Sequence, residues 1–234
     1  MRCLFFCTDV NGLMMELDGT HIPDEWRLFI DSSKTSLKAV LLHNGNEKPS
    51  VPKAHAVGMR ETHASMELIL KMIKYSEHKW KICADLKVVA LLLGLQLGYT
   101  KHMCFLCLWN SRDDKNHYKT RQWPLKVGHT VGRYNVQHKS VIDSFQVFLP
   151  PLQIKLGLMK QFIIAIDRDG NGFQYLKEKF STLKTEAKIK AGIFIGPEIH
   201  KLIHDDIFRT KLSPLERAAW EAFVLVVQNF LGNR

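Results

Sequence analysis

The apolar residues of this chain change period along its length. Up to residue 57 they fall in short strand-type runs, and from Pro151 onward they recur at helical spacing. Such a pattern demands a sheet in the first part and helix-on-helix packing in the second. Arg27–Asp31 is a short apolar run closed by an acid, Ser32–Ser36 is turn-like, and Leu37–His43 is a second strand ended by Asn44-Gly45. Ser50–Val57 reads as a third strand, placed at an edge because Pro52 cannot donate to a ladder. Glu61–Lys74 puts Met66, Ile69, Leu70 and Ile73 on one helix face. Trp80–Asp85 is a further strand ending in an acid, and Lys87–Leu97 is a helix apolar on nearly every side.

The spacing then predicts helices over 154–166, 173–180, 185–192 and 197–204. A last helix opens at Ser213-Pro214-Leu215-Glu216, a capping box with proline at the first helical position. The expected architecture is α+β. An incomplete ribonuclease H-like core, antiparallel strands plus a parallel strand with helices, is expected over residues 1–100. A basic Cys/His-containing insert spans 101–150, and a mostly helical region spans 151–234.

Thirty-three Lys and Arg stand against 23 Asp and Glu, a net charge of +10, which favours a polyanionic partner. Five cysteines with one tight pair do not make a secreted disulfide scaffold; they suit a reducing, intracellular setting. The residues before Asp9 are too few for a signal-peptide apolar region. The run from Val88 to Leu97 falls short of the ~20 residues that span a bilayer, so no membrane partner is expected.

Four constellations carry chemistry. Asp31 and Asp85 each end a strand, and two carboxylates on adjacent strands can hold the Mg²⁺ ions of phosphoryl transfer; the plain alternative is that each acid simply ends its strand. Cys104-Phe105-Leu106-Cys107 can bite Zn²⁺, with His117 and His138 as further ligands and His102 or His129 as substitutes. A buried thiol pair or a redox pair are the alternatives, the latter without a thioredoxin-like context. Asp167, Asp169, Asn171 and Glu178 occupy positions of a calcium loop, with Gly172 at the turn. Gln174 at the eighth position and the lack of a second loop favour an ordinary Asp/Gly-rich turn instead. Finally, residues 101–139 hold eight Lys/Arg. Lys115, Lys119, Arg121, Lys126 and Arg133 are placed to contact nucleic-acid phosphates, with Tyr118, Trp123 and Tyr134 interleaved; a solvated loop is the bland reading.

The segments Trp26–Lys34, Ser36–Asn46, Cys104–Trp109, Phe148–Leu152 and Asn229–Asn233 resemble a highly repeated family of animal mobile-element proteins, abundant in arthropods. That family is similar in layout to DDE-type transposases with a ribonuclease H-like core. The resemblance implies metal-dependent DNA cleavage and transfer, with Asp31 and Asp85 as its first- and fourth-strand acids. It implies structural zinc at Cys104 and Cys107, histidines at 117 and 138, DNA as partner, and a nuclear location. Gln153 stands where a histidine is expected after Leu149-Pro150-Pro151-Leu152. Relatives supply a third acid beyond the Leu-Gly-Asn at 231–233, so this chain is expected to be a fragment, inactive alone. The rival expectation is a non-enzymatic, zinc-stapled nucleic-acid-binding module.

Overall fold

The computed structural model describes residues 3–17, 19–33, 35–117, 119–180 and 194–231. The chain forms two compact units, Met1–Leu149 and Pro150–Arg234. The first is mixed α and β. Its elements are β1 (Cys3–Phe6), α1 (Val10–Glu16), β2 (Trp26–Ser32), β3 (Ser36–His43), β4 (Val51–Val57), α2 (His63–Met72), α3 (Tyr75–His78), β5 (Lys81–Ala84), α4 (Leu86–Leu92) and β6 (Val147–Phe148).

The six strands form one sheet in the order β1-β4-β3-β2-β5-β6. β2, β3 and β4 pair antiparallel in sequence, whereas β5 runs parallel to β2 and β6 parallel to β5. Alternation fixes the faces: Trp26, Leu28 and Ile30 are buried on β2, and Ile82 and Ala84 on β5, beneath Val10, Met66, Ile69 and Val88 of the helices.

Pro52 does not mark an edge, because β1 lies outside β4. β1 pairs only with Ala54–Val57, so the proline sits beyond that ladder and its missing N–H costs no bond there. The sequence gives β1 and α1 no periodic signal long enough to read. α4 is shorter than the expected 87–97 helix: it closes at Leu92, and Gly94 turns the chain with φ +69°. A Cβ at Gly94 would collide with the carbonyl of His138, and the Gly94 carbonyl accepts from Gln137 N at 2.8 Å and His138 N at 3.0 Å. The basic segment is thereby tied to the first unit, and it adds Phe105, Val136 and Ile142 to the same core.

The second unit is helical among the described residues. It comprises α5 (Pro151–Ala165), α6 (Asn171–Lys179), α7 (Gly196–Ile203), α8 (Asp206–Lys211) and α9 (Pro214–Phe230). The expected helix over 185–192 lies outside the described residues. Trp220 centres the core, its ring 5.0 Å from Phe208 and 5.2 Å from Phe162. Glu216 completes the capping box of α9, accepting from Ser213 N at 2.9 Å, and also accepts from Asp167 N at 2.9 Å.

Candidate functional site

Parallel pairing of β2 with β5 sets Ile30 opposite Ala84. The next residues are Asp31, still paired within β2 and followed there by Ser32, and Asp85, the first residue past β5, so the two aspartates lie toward the same end of neighbouring central strands. Asp31 is exposed, on the face opposite Ile30, and lies across from Lys38 of β3. Asp85 is half-buried and caps α4, its Oδ1 accepting from Val88 N at 2.6 Å.

A third carboxylate joins them that the sequence patterns do not flag. Glu61 stands before the Thr62 cap of α2, with its side chain only 10% exposed. Ser32 Oγ donates to its Oε1 and Lys87 Nζ to its Oε2. These contacts cross 29 and 26 residues of chain, so no local pattern could reveal them. The hydrogen bond from Lys87 to Glu61 holds the Lys87 ammonium above the usual lysine range; burial opposes it, and the charges of Glu61 and Asp85 add to it. The end of β2 and β5 therefore carries three acids and one lysine. Beside it, Lys87 also walls an apolar groove of about 760 Å³ between α4 and the Cys104 segment, lined by Leu86, Ala90, Leu97, Phe105 and Trp109.

Cys104 and Cys107 lie close enough to influence one another, and burial is the chief reason the Cys107 thiol is pushed up, with Cys104 adding to it. The segment forms a two-strand clip in which Lys126 N donates to Leu106 O and Leu108 N to Pro124 O, each at 2.8–2.9 Å. The two histidines expected beside the thiols have other partners. His117 stacks on Trp109 at 4.8 Å and its Nε2 lies 2.7 Å from Asn110 O, while His138 stacks on His63 at 4.7 Å. Two other ring nitrogens, His102 Nδ1 and His129 Nε2, are buried without a hydrogen-bond partner. Among the described residues, no three His, Cys, Asp or Glu side chains form a group able to hold a metal ion.

Lys126 corrects the basic-surface expectation, because it is 6% exposed. Its Nζ donates to His102 O at 3.0 Å and Asn135 Oδ1 at 3.1 Å, so no phosphate can reach it as it stands. Burial lowers its pKa, opposed by the neighbouring Cys104 and Cys107. Lys115, Lys119, Arg121 and Arg133 are exposed, as are Lys101, Arg112 and Lys139.

The candidate calcium segment is a turn followed by a helix. Asp169 N donates to Asp167 Oδ1 at 3.1 Å, and Asn171 and Glu178 both lie on α6. Seven residues of helix separate those two by about 10 Å, so the structure does not wrap Asp167, Asp169, Asn171 and Glu178 around one point. No described helix is long and apolar enough to cross a membrane.

None of the curated proteins compared with this chain matches it. Residues 151–232 match the Domain of unknown function (DUF8704), so the break between family matches falls close to the break between compact units. Residues 1–142, more than half of the chain, match the Domain of unknown function (DUF8703), and the chain belongs to that family.

Proposed function

We propose that this chain is a DDE transposase-like protein, with a ribonuclease H-like first unit that engages DNA and with Asp31 and Asp85 as the acids of a strand-cleaving centre. The observation that carries this reading is the Ile30–Ala84 pairing, which makes Asp31 and Asp85 the next residues along two adjacent parallel strands. The run β4-β3-β2-β5-β6, with three antiparallel strands followed by two parallel to β2, supports it as the order a ribonuclease H-like core requires.

Phosphoryl transfer of this kind draws on Mg²⁺, a hard ion that takes oxygen ligands. Asp31, Glu61 and Asp85 offer only oxygen donors, so the donor chemistry is right. Their present arrangement is not, because both Glu61 oxygens accept hydrogen bonds from Ser32 and Lys87 and no set of three ligands converges. What the chain's own residues supply is a phosphate-binding surface: Lys115, Lys119, Arg121 and Arg133 present exposed cations to a DNA backbone. A DNA partner places the protein in the nucleus.

The test combines DNA affinity over a salt series with plasmid nicking in Mn²⁺. Affinity should fall steeply with salt, and nicking, weak in the unaltered chain, should vanish in Asp31→Asn and Asp85→Asn. Affinity indifferent to salt, or nicking that survives both substitutions, refutes the reading.

A second reading, the zinc-stapled binding module, draws on the meeting of Cys104 with Cys107 and on the unpartnered His102 and His129 nitrogens. It requires about one zinc per chain in protein purified without chelator; protein free of zinc ends it.

A further inference from the structure

The last helix of the second unit is apolar on two opposite faces. At about 100° per residue, Trp220, Phe223 and Val227 fall on the face of α9 that packs into the unit's core. The opposite face, an arc of about 120°, carries Leu215, Ala218, Ala219, Ala222, Leu225 and Val226. All six are exposed, Leu215 by 82% and Leu225 by 59%. A helix that borders water on one side carries its charges there, whereas a helix apolar all round is a buried one. On α9 the charges lie off the outer face. Glu216 closes the capping box, Arg217 Nε donates to Arg209 O at 3.2 Å, and Glu221 accepts from Arg209 Nη2 at 3.0 Å. Asn229, the polar residue on the arc, turns its amide back onto Leu225 O at 2.8 Å.

We propose that a second copy of the chain docks on this face, the two α9 helices packing antiparallel about a two-fold axis at Ala222. The inference goes beyond the reading of the first unit and does not rest on it. The order of large and small side chains fits the face to itself. A two-fold axis at Ala222 sets Ala218 against Leu225 of the other copy and Ala219 against Val226 of the other copy. Each bulky side chain then meets a small one, and Ala222 meets its own counterpart where the backbones come closest. A parallel pair sets Leu225 on Leu225 and Ala218 on Ala218, which holds the helices apart at one level and leaves a gap at the next. The antiparallel contact uses the same patch on both copies, so it closes at two. Area agrees. With Phe230, 79% exposed at the end of α9, the face offers about 600 Å² per copy, or about 1,200 Å² in the pair. That is the lower end of a specific interface, which fits a dimer that forms reversibly.

The experiment is sedimentation equilibrium of the full chain from low micromolar to near-millimolar concentration, with circular dichroism confirming that each variant folds. The mass should rise from 27.0 kDa toward twice that value. Leu225→Glu places a carboxylate in the apolar contact of both copies and should weaken the dimer about tenfold or more. Ala218→Lys should weaken it likewise. The double variant Ala218→Lys/Leu225→Glu should recover most of the loss, because the introduced charges meet across the antiparallel pair. Within one helix the two positions lie about 10 Å apart along the axis, so the recovery has to come from the other copy. A chain that stays at 27.0 kDa throughout overturns the proposal and assigns the face to a different partner. A dimer that survives Leu225→Glu overturns it as well, since the contact then lies elsewhere. A dimer lost in both single variants and not recovered in the double one overturns the antiparallel registry.

Discussion

Asp85 has two separable duties, and two substitutions pull them apart. Its Oδ1 accepts from Val88 N at 2.6 Å as the cap of α4, and its carboxylate is one of the proposed pair of acids. Asp85→Ala removes both. The lost cap is worth about 1 kcal/mol, within a range of roughly 0.5–2. Nothing replaces that acceptor in Ala, and α4 buries Val88, Val89, Leu91 and Leu92 against the sheet, so its first turn cannot fray freely. Asp85→Asn keeps an amide oxygen in the same place and ranks as an equally good cap; it loses only the favourable charge at the helix start, about 0.3 kcal/mol. With a urea dependence of about 2 kcal/mol per molar, Ala should lower the unfolding midpoint by about 0.5 M and Asn by about 0.15 M. Four of the five tryptophans, Trp26, Trp80, Trp109 and Trp123, lie in the first unit, so tryptophan fluorescence reports the relevant transition. Mn²⁺-dependent nicking should be lost equally in both variants. The reasoning fails if Asn lowers the midpoint as far as Ala, or if nicking tracks stability rather than the carboxylate.

Other outcomes follow from the same structure. Gly94→Ala must adopt a positive φ and push against the His138 carbonyl, endangering the two hydrogen bonds that Gly94 O receives; it should destabilise the first unit by about 3 kcal/mol, and a midpoint unchanged in urea contradicts the close approach. Lys53 is 1% exposed and its Nζ has no hydrogen-bond partner, so Lys53→Met should leave stability unchanged or raise it by about 1 kcal/mol, and marked destabilisation by calorimetry would show that the ammonium is paired. The His21 and His78 pKa values are lowered, first by burial, then by nearby cations; His21 Nε2 also accepts from Trp80 Nε1 at 3.1 Å. Because the unfolded chain takes these protons first, their contribution is complete above about pH 6.5 and is lost as pH falls through the lower folded values, so urea midpoints should drop from pH 7.5 to 5.5. In the second unit, burial pushes the Asp205 carboxyl up but Lys179 and Tyr175 outweigh it and hold it below the usual value; Asp205→Ala also strips the cap of α8 and should cost about 2–3 kcal/mol by thermal unfolding.

Local chemistry made much of the fold legible. The runs ending at Asp31, His43 and Val57 became β2, β3 and β4, and Ser213-Pro214-Leu215-Glu216 opened α9, because strand period, turn residues and caps act within a few residues of one another. Asp31 and Asp85 were legible for the same reason, since each closes an apolar run. Glu61 was not. Its meaning lies in Ser32 and Lys87, and only the folding of α2 and α4 beside the strand ends brings them to it. The same holds for Lys126, which composition assigns to a basic surface but which the clip of residues 106–108 and 124–126 turns inward onto carbonyl oxygens. His117 and His138 have suitable spacing from the thiols, but spacing along a chain does not specify distance through space; Trp109 and His63 stack against them instead. The sequence by itself determined which stretches are strands and helices and which residues can carry charge. The tertiary structure alone decided which charges meet, because that depends on contacts between residues far apart in the chain, and a side chain's local pattern holds no record of them.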